Sequence, residues 1–260
     1  MEKFEKVMLK DNGCVLELHN EDCLKMLRKI ENNSVDLIIT SPPYNLGHSS
    51  RGDNADCLIK YNTYEDNLSY SDYIEWQVEV LKECYRVLKI SGVMYYNHKE
   101  RHINGYYFNP LEIIGKTDFK MLQTIIWDRK QSVSYNQRRY ANSYESIYVC
   151  YKNVKRYMRI DKESQKNLDV WKIRPPKKAL QPATFPLELP LKILEGYKEK
   201  GKLVVLDPFS GSCTTALACL ETGNDFKGAE VDETYFNKGI KRLVKNSSED
   251  VSISYIYEEQ

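Results

Sequence analysis

A run that reads as a buried strand, VDLIIT (35–40), ends abruptly in the hexapeptide TSPPYN, Thr40–Asn45. The hydroxyl of Ser41, the diproline Pro42–Pro43 and the ring of Tyr44 are therefore gathered at the tip of a core strand. Proline fixes φ and needs no partner for a backbone N–H, so such a tip is rigid. A second apolar run ends in a similar way. In VVLDPFSGSCTT (204–215), Asp207 closes the strand, and Pro208, Phe209, Ser210, Gly211, Ser212 and Thr214 lead into a helix. A glycine there lets backbone approach a ligand, and the N–H groups of a helix N-terminus attract a carboxylate or phosphate. Glu230 follows 23 residues after Asp207, at the end of FKGAE. A carboxylate at that second strand tip can accept hydrogen bonds from both ribose hydroxyls of a nucleoside cofactor. Alone, the turn is equally compatible with a plain strand–helix connection, and the acids with helix capping. The turn departs from the full dinucleotide fingerprint and no Walker spacing occurs, which disfavours hydride transfer and nucleotide hydrolysis.

The elements that must hold these tips follow from hydrophobic period. VLELH (15–19), VDLIIT (35–40), VMYYN (93–97), MLQTIIWD (121–128), YESIYVCYK (144–152), KLVVLD (202–207) and DFKGAEVD (225–232) are predicted strands. DCLKMLRKI (22–30), SDYIEWQVEVLKECYRVLK (71–89), PLEIIGKT (110–117), SCTTALACLE (212–221) and ETYFNKGIKRLV (233–244) are predicted helices. This alternation indicates an α/β fold with a mostly parallel sheet covered by helices on both faces, and ligands in such folds sit outside the carboxyl ends of the strands. The tail EDVSISYIYEEQ alternates weakly and is expected to be an edge strand or frayed.

At 260 residues the chain suits one large domain. Its 38 Lys and Arg balance 37 Asp and Glu, so a nucleic-acid footprint must be local. One segment supplies it: residues 152–178 hold ten Lys/Arg against three Asp/Glu, with Tyr157 and Trp171 interleaved. The seven cysteines are scattered without zinc spacing, so no metal site is expected and free thiols in a reducing cytoplasm are. The charged N-terminus lacks an apolar leader, and no apolar run approaches the roughly 20 residues of a membrane span. The reading is of a soluble protein that is not secreted.

TSPPYN, DPFSGSCTT and FKGAE together resemble the DNA amino-methyltransferases of the beta class, a circularly permuted family that uses S-adenosylmethionine (AdoMet). In that family the catalytic motif precedes the cofactor turn, as Ser41 precedes Asp207 here, and the resemblance extends over nearly the whole chain. It implies a Rossmann-like class I methyltransferase fold of one domain, 1–260, with a small basic target-recognition insertion at 152–180. NEDCLKML (20–27) resembles the family segment whose acid, here Asp22, contacts the adenine of AdoMet. RRYANSYESIYVCYK (138–152) resembles the strand pair near the target base, and QPATFPLELP (181–190), which contains Phe185, resembles the segment lining the methionine end of the cofactor. Two positions depart from the family pattern. Cys213 stands where the turn usually has its last glycine, and Gln181 stands where a histidine usually precedes Pro182. Cysteine is expected to fit sterically if its φ is negative.

The resemblance implies that Asp207, Pro208, Phe209, Ser210, Gly211, Ser212, Thr214, Glu230, Asp22 and Phe185 bind AdoMet, and that Ser41, Pro42, Pro43 and Tyr44 are catalytic. An exocyclic amine is a poor nucleophile because its lone pair is delocalised into the ring. Accepting its protons on the Ser41 hydroxyl and the Pro42 carbonyl favours a pyramidal nitrogen that can attack the methyl sulfonium. Tyr44 would offer a face on which a flipped base stacks. Arg138, Arg139, Lys155, Arg156, Arg159, Lys172, Lys177 and Lys178 are expected to face double-stranded DNA. By the same resemblance, Ser41 and the QPATFP segment imply cytosine N4, and the family setting implies a restriction-modification system with a cognate restriction endonuclease as a further partner. Asn45 points to adenine N6. A non-catalytic AdoMet- or DNA-binding subunit, and an amine on RNA or protein glutamine as acceptor, remain alternatives, and monomer and homodimer are both open.

Overall fold

The computed structural model describes residues 4–45, 66–103, 106–130, 140–153, 168–176, 184–198 and 201–257. A strand buried at all of its positions belongs in the middle of a sheet, and Val35–Thr40 is buried throughout. In chain order the strands are β1 (Phe4–Asp11), β2 (Cys14–His19), β3 (Val35–Thr40), β4 (Leu88–His98), β5 (Arg101–Ile103), β6 (Tyr106–Phe108), β7 (Lys120–Asp128), β8 (Tyr144–Tyr151), β9 (Val170–Lys172), β10 (Val204–Asp207), β11 (Asp225–Ala229) and β12 (Ser252–Tyr257). Between them run helices α1 (Cys23–Lys29), α2 (Tyr70–Val87), α3 (Leu111–Ile114), α4 (Glu188–Glu195), α5 (Thr214–Thr222) and α6 (Glu233–Asn246).

One ten-stranded sheet has the order β12-β1-β2-β11-β10-β3-β4-β8-β7-β9, and β5 and β6 form a separate hairpin. Its centre, from β2 through β11, β10 and β3 to β4, is parallel throughout. Antiparallel pairs flank that centre on both sides. Alternation along the strands divides the core into two layers. Leu37, Ile39 and Val205 pack with Leu189 of α4, Leu217 of α5 and Phe236 of α6. Ile38 and Leu206 point the other way, to Met26 of α1, Leu81 of α2 and Ile113 of α3. This is the expected α/β architecture with helices on both faces.

The predicted strands and helices are all present, several with trimmed ends: the strand expected over 225–232 stops at Ala229, and the helix expected over 110–117 spans only Leu111–Ile114. The tail forms the edge strand β12, paired with β1. Four features lie outside the sequence reading: β1, the β5–β6 hairpin, β9 and α4. Among the described residues no helix is long and apolar enough to cross a membrane. The six described cysteines are free and buried.

The chain leaves β3 toward β4 on one side, and leaves β10 toward β11 on the other, although β3 and β10 are neighbours. Strand order therefore reverses between them, which is where open α/β sheets hold ligands. The two tips singled out in the sequence meet at this reversal.

Candidate active site

A cleft of about 190 Å³ opens at the carboxyl ends of these strands, and it contacts both tips. Ser41 and Pro43 line one end, and Ala229, Glu230, Val231 and Asp232 line the other. Trp76, Phe209, Tyr235 and Pro208 wall it, with Trp76 and Phe209 edge to face at 5.7 Å between ring centroids. Four carboxylates line it, those of Glu21, Asp22, Glu230 and Asp232, and no Lys or Arg is among the described lining residues. An aromatic-walled, acid-rich cleft suits a nucleoside that carries positive charge, and repels one that carries phosphates.

Each acid has a structural anchor. Asp22 caps α1 by accepting from the backbone N–H groups of Leu24 at 2.9 Å and Lys25 at 3.2 Å. Asp232 caps α6 through Oδ1, while its buried Oδ2 has no partner among the described residues. Glu21 is held by Lys29 and His19. Glu230 Oε1 accepts from the Asp232 N–H at 2.8 Å. Burial pushes the Glu230 carboxyl up to about 7, against the opposing effect of that hydrogen bond.

Asp207 has a different position from the one expected. It is 1% exposed, and its oxygens are taken by Thr40 Oγ1 at 2.8 Å, Thr215 Oγ1 at 2.8 Å and the Phe209 N–H at 3.1 Å. It does not line the cleft; it fastens β3, the turn after β10 and α5 together. Burial pushes its carboxyl up to about 6 despite those donors. Ser210, Ser212 and Thr214 are likewise buried in the turn rather than lining the cleft. Ser210 Oγ donates to the Ala229 carbonyl, and Arg242 donates to the Ser212 carbonyl and to Thr214 Oγ1. Gly211 takes a positive φ of 50°. Phe185 packs in the core layer with Leu189 and Tyr197. Of the residues expected at the cofactor, Asp22, Pro208, Phe209 and Glu230 line the cleft.

Cys213 departs from the sequence expectation in its backbone. Its φ is +61°, the left-handed conformation in which glycine is at ease and a side chain is strained. Its sulfur occupies room that Gly239 leaves on α6, since a Cβ at Gly239 would overlap Cys213 Sγ. Gly239→Ala in a helix interior would ordinarily stabilise by about 1 kcal/mol. Here it is expected to destabilise by about 1–3 kcal/mol through overpacking. Adding Cys213→Gly should restore stability, because the overlap and the strained φ disappear together. Denaturant unfolding of the two single variants and the double variant measures this; additive effects would contradict it.

The catalytic-type tip is held by two sets of hydrogen bonds. In the first, Tyr73 Oη lies 2.9 Å from the Pro43 carbonyl and 2.6 Å from His98 Nε2, and the Lys99 N–H donates to His98 Nδ1 at 2.8 Å. With Nδ1 accepting, Nε2 carries the proton and donates to Tyr73, whose hydroxyl donates to Pro43. Burial, reinforced by the nearby Arg101 guanidinium, lowers His98 to about 3, so the ring is neutral. In the second, Ser41 Oγ lies 2.8 Å from Tyr44 Oη, which donates to Glu145 Oε2 at 3.0 Å. Asn97 Nδ2 reaches Ser41 Oγ, Tyr44 Oη and Glu145 Oε2 at 3.2, 2.7 and 3.1 Å. Arg129 Nη1 holds the other oxygen of Glu145 at 2.6 Å.

These bonds change the reading of Tyr44. The ring is 4% exposed and stacks on His98 at 4.8 Å, so it is not the open platform expected for a flipped base. Pro42 is buried as well. Sequence reasoning missed Trp76, Tyr235, Asn97, Glu145 and Asp232. Asn97 and Glu145 had a signal, a polar residue inside or at the end of an apolar strand run, whereas Trp76 lies at ordinary helical spacing. Of the basic residues, Lys172 is exposed on β9. Arg138, Arg139, Lys155, Arg156, Arg159, Lys177 and Lys178 lie outside the described residues, as do Gln181 and Pro182. Trp171 packs partly against the core, with Lys192 over its ring at 5.3 Å.

The family model for N6/N4 enzymes described as DNA methylase matches residues 35–241, a span that includes both tips and most of the sheet. The chain belongs to this DNA methylase family. Among curated relatives, the methylase is similar to the DNA adenine methyltransferase YhdJ of Escherichia coli K12, with 28% identity over 269 residues, covering 92% of this chain and 84% of the relative. It is also similar to the type II methyltransferase M.HpaI of Haemophilus parainfluenzae, with 29% identity over 248 residues, 85% of this chain and 72% of the relative. Of solved structures, the cytosine-N4-specific PvuII DNA methyltransferase superposes with a TM-score of 0.69 at 18% identity, covering 96% of this chain and 92% of that one. A DNA modification methylase of Thermus thermophilus, complexed with S-adenosyl-L-methionine, gives 0.66 at 23% identity over 92% and 96%. The fold of the methylase is thus the class I methyltransferase fold expected from its sequence.

Proposed function

We propose that this DNA methylase transfers a methyl group from AdoMet to the N4 amino group of cytosine in duplex DNA. The cleft supports the reading best: a single acid-lined, aromatic-walled space runs from Glu230 to Ser41. AdoMet brings a methyl group activated by a sulfonium cation. Glu230 receives its ribose hydroxyls, and Asp232 Oδ2, without a partner among the described residues, adds negative charge to the same space. Ser41, with the Pro42 carbonyl, accepts the protons of the amine. Basic residues in 152–180 and at 138–139 engage the DNA phosphates, and Lys172 is their described, exposed member. The type II name of M.HpaI fits a restriction-modification setting with a cognate endonuclease. Free, buried thiols fit a reducing cytoplasm.

The choice of cytosine rests on Ser41 and on the resemblance of QPATFP. A second reading, adenine N6, draws on Asn45 and on the similarity to an adenine methyltransferase at 28% identity. Asn45 has a local explanation, however. Its φ is +51°, a conformation asparagine tolerates, and its side chain donates to the Leu68 carbonyl at 2.9 Å. Asparagine at this position is accounted for without reference to the base.

Incubation with AdoMet and duplex DNA, followed by digestion to nucleosides and mass spectrometry, tests the proposal. N4-methylcytosine is the expected product. N6-methyladenine alone would overturn the choice of base, and bound AdoMet without any methylated nucleoside would favour a non-catalytic subunit.

A further inference from the structure

The bonds around Ser41 have a direction. A carboxylate only accepts, so the single hydroxyl hydrogen of Tyr44 goes to Glu145 Oε2, 3.0 Å away. Tyr44 Oη must then accept from Ser41 Oγ, 2.8 Å away, which commits the Ser41 hydrogen as well. The Asn97 amide enforces the same order. Its Nδ2 faces all three oxygens, and turning the amide over would aim its carbonyl at a carboxylate. The protein instead leaves Asn97 Oδ1 buried without a partner among the described residues. Arg129, bonded to Glu145 Oε1 at 2.6 Å, keeps the carboxylate in place as the terminal acceptor.

We propose that Glu145 is a positioning residue that polarises the chain Ser41–Tyr44–Glu145, so that Ser41 can only accept from the substrate amine and the proton released by methyl transfer leaves along it. This rests on the methyltransferase reading above. In the step, the amine nitrogen forms a bond to the methyl carbon, and the carbon–sulfur bond breaks with its electron pair returning to sulfur. The nitrogen, now positive, gives a proton to Ser41 Oγ. Ser41 passes its own proton to Tyr44 Oη, and Tyr44 passes its proton to Glu145, neutralising the carboxylate. The hydroxyls are regenerated, the base is neutral, and the charge lost at sulfur is matched by the charge lost at Glu145. Tyr44 thus serves through its hydroxyl, which explains why its ring is buried.

Glu145→Gln preserves shape and puts a donor beside Tyr44, so that the chain can reverse and Ser41 can aim its hydrogen at the amine. Single-turnover methylation by Glu145→Gln is expected to fall about 10²-fold, on the scale of proton-transfer assistance. AdoMet affinity should stay near wild type, and the melting temperature should fall only by what weakening the Arg129 ion pair costs. Tyr44→Phe should give a similar loss, and the double variant should be no slower than the slower single, because both break one chain. A wild-type rate in Glu145→Gln, multiplying losses in the double variant, or losses that track AdoMet affinity or melting temperature would overturn the proposal. If Glu145→Gln does not fold, a wild-type rate in Tyr44→Phe overturns it by itself. Failure of the wild-type protein to methylate DNA would instead refute the function on which it rests.

Discussion

Ser41→Ala is expected to bind AdoMet as the wild type does and to transfer methyl groups about 10³-fold more slowly, the scale of losing one preorganised group at a reacting centre. The side chain lines the acceptor end of the cleft, while Glu230 and Asp232 stand at the other end. Alanine removes the acceptor for the amine proton and the first member of the chain to Glu145, but none of the acids placed to hold a nucleoside. Single-turnover kinetics with calorimetric AdoMet titration separates the two quantities. Equal losses in both would mean that Ser41 belongs to cofactor binding, and a wild-type rate would remove it from the chemistry.

Glu230→Ala is expected to do the reverse and weaken AdoMet binding. Two hydrogen bonds from ribose to a carboxylate, at about 1.5–3 kcal/mol each, amount to a loss of roughly 10²- to 10⁴-fold in affinity. The wild-type dependence on pH is a sharper signature. Burial raises Glu230 to about 7, so the carboxyl of the free protein is mostly neutral below that pH and ionised above it. A neutral carboxyl cannot accept from two hydroxyls as well as an ion can, so affinity should rise as pH increases through about 7. Stability of the ligand-free protein runs the opposite way. The folded state holds the Glu230 proton to higher pH than the unfolded chain, whose ordinary value is 4.5, so stability falls as pH rises from about 4.5 to about 7. Glu230→Gln should flatten both trends. Persistence of the affinity trend in that variant would assign the titration to another group.

Both tips were visible in sequence because a fully buried strand has to be apolar along its length, so an abrupt change of residue type marks its end. Continuous apolar runs exposed β3 and β10, whereas apolar residues at helical spacing exposed α2 and α6. β1 escaped notice although Val7 and Leu9 are fully buried and alternate with Lys6 and Lys10. β1 lies beside the edge strand β12 and alternates buried with more exposed positions, so half of its eight residues are charged and no apolar run marks it. The hairpin strands β5 and β6, of three residues each, are too short to show a period. Asp207 and Glu230 had equal claims on the cofactor by position. Only three-dimensional structure distinguishes a carboxylate whose oxygens are spent on Thr40, Thr215 and Phe209 from one that faces a cleft. That Asn97 and Glu145 join Tyr44 around Ser41 could not be read, although each stands out as a polar residue in an apolar strand run. Asn97 and Glu145 lie 56 and 104 residues away in the chain and arrive through the antiparallel pairing of β4 with β8.

The bond from Thr40 to Asp207 joins residues 167 positions apart in sequence, and Phe4 pairs with Tyr257 in the β1–β12 ladder. The two tips of the site are thus brought together by strand adjacency and this bond rather than by nearness in the chain, and the first and last described strands already lie side by side. Joining those ends and opening the chain in another loop would leave every contact at the strand reversal unchanged. The linear order of the two halves is therefore nearly neutral for this architecture, and reordered gene segments could encode the same site.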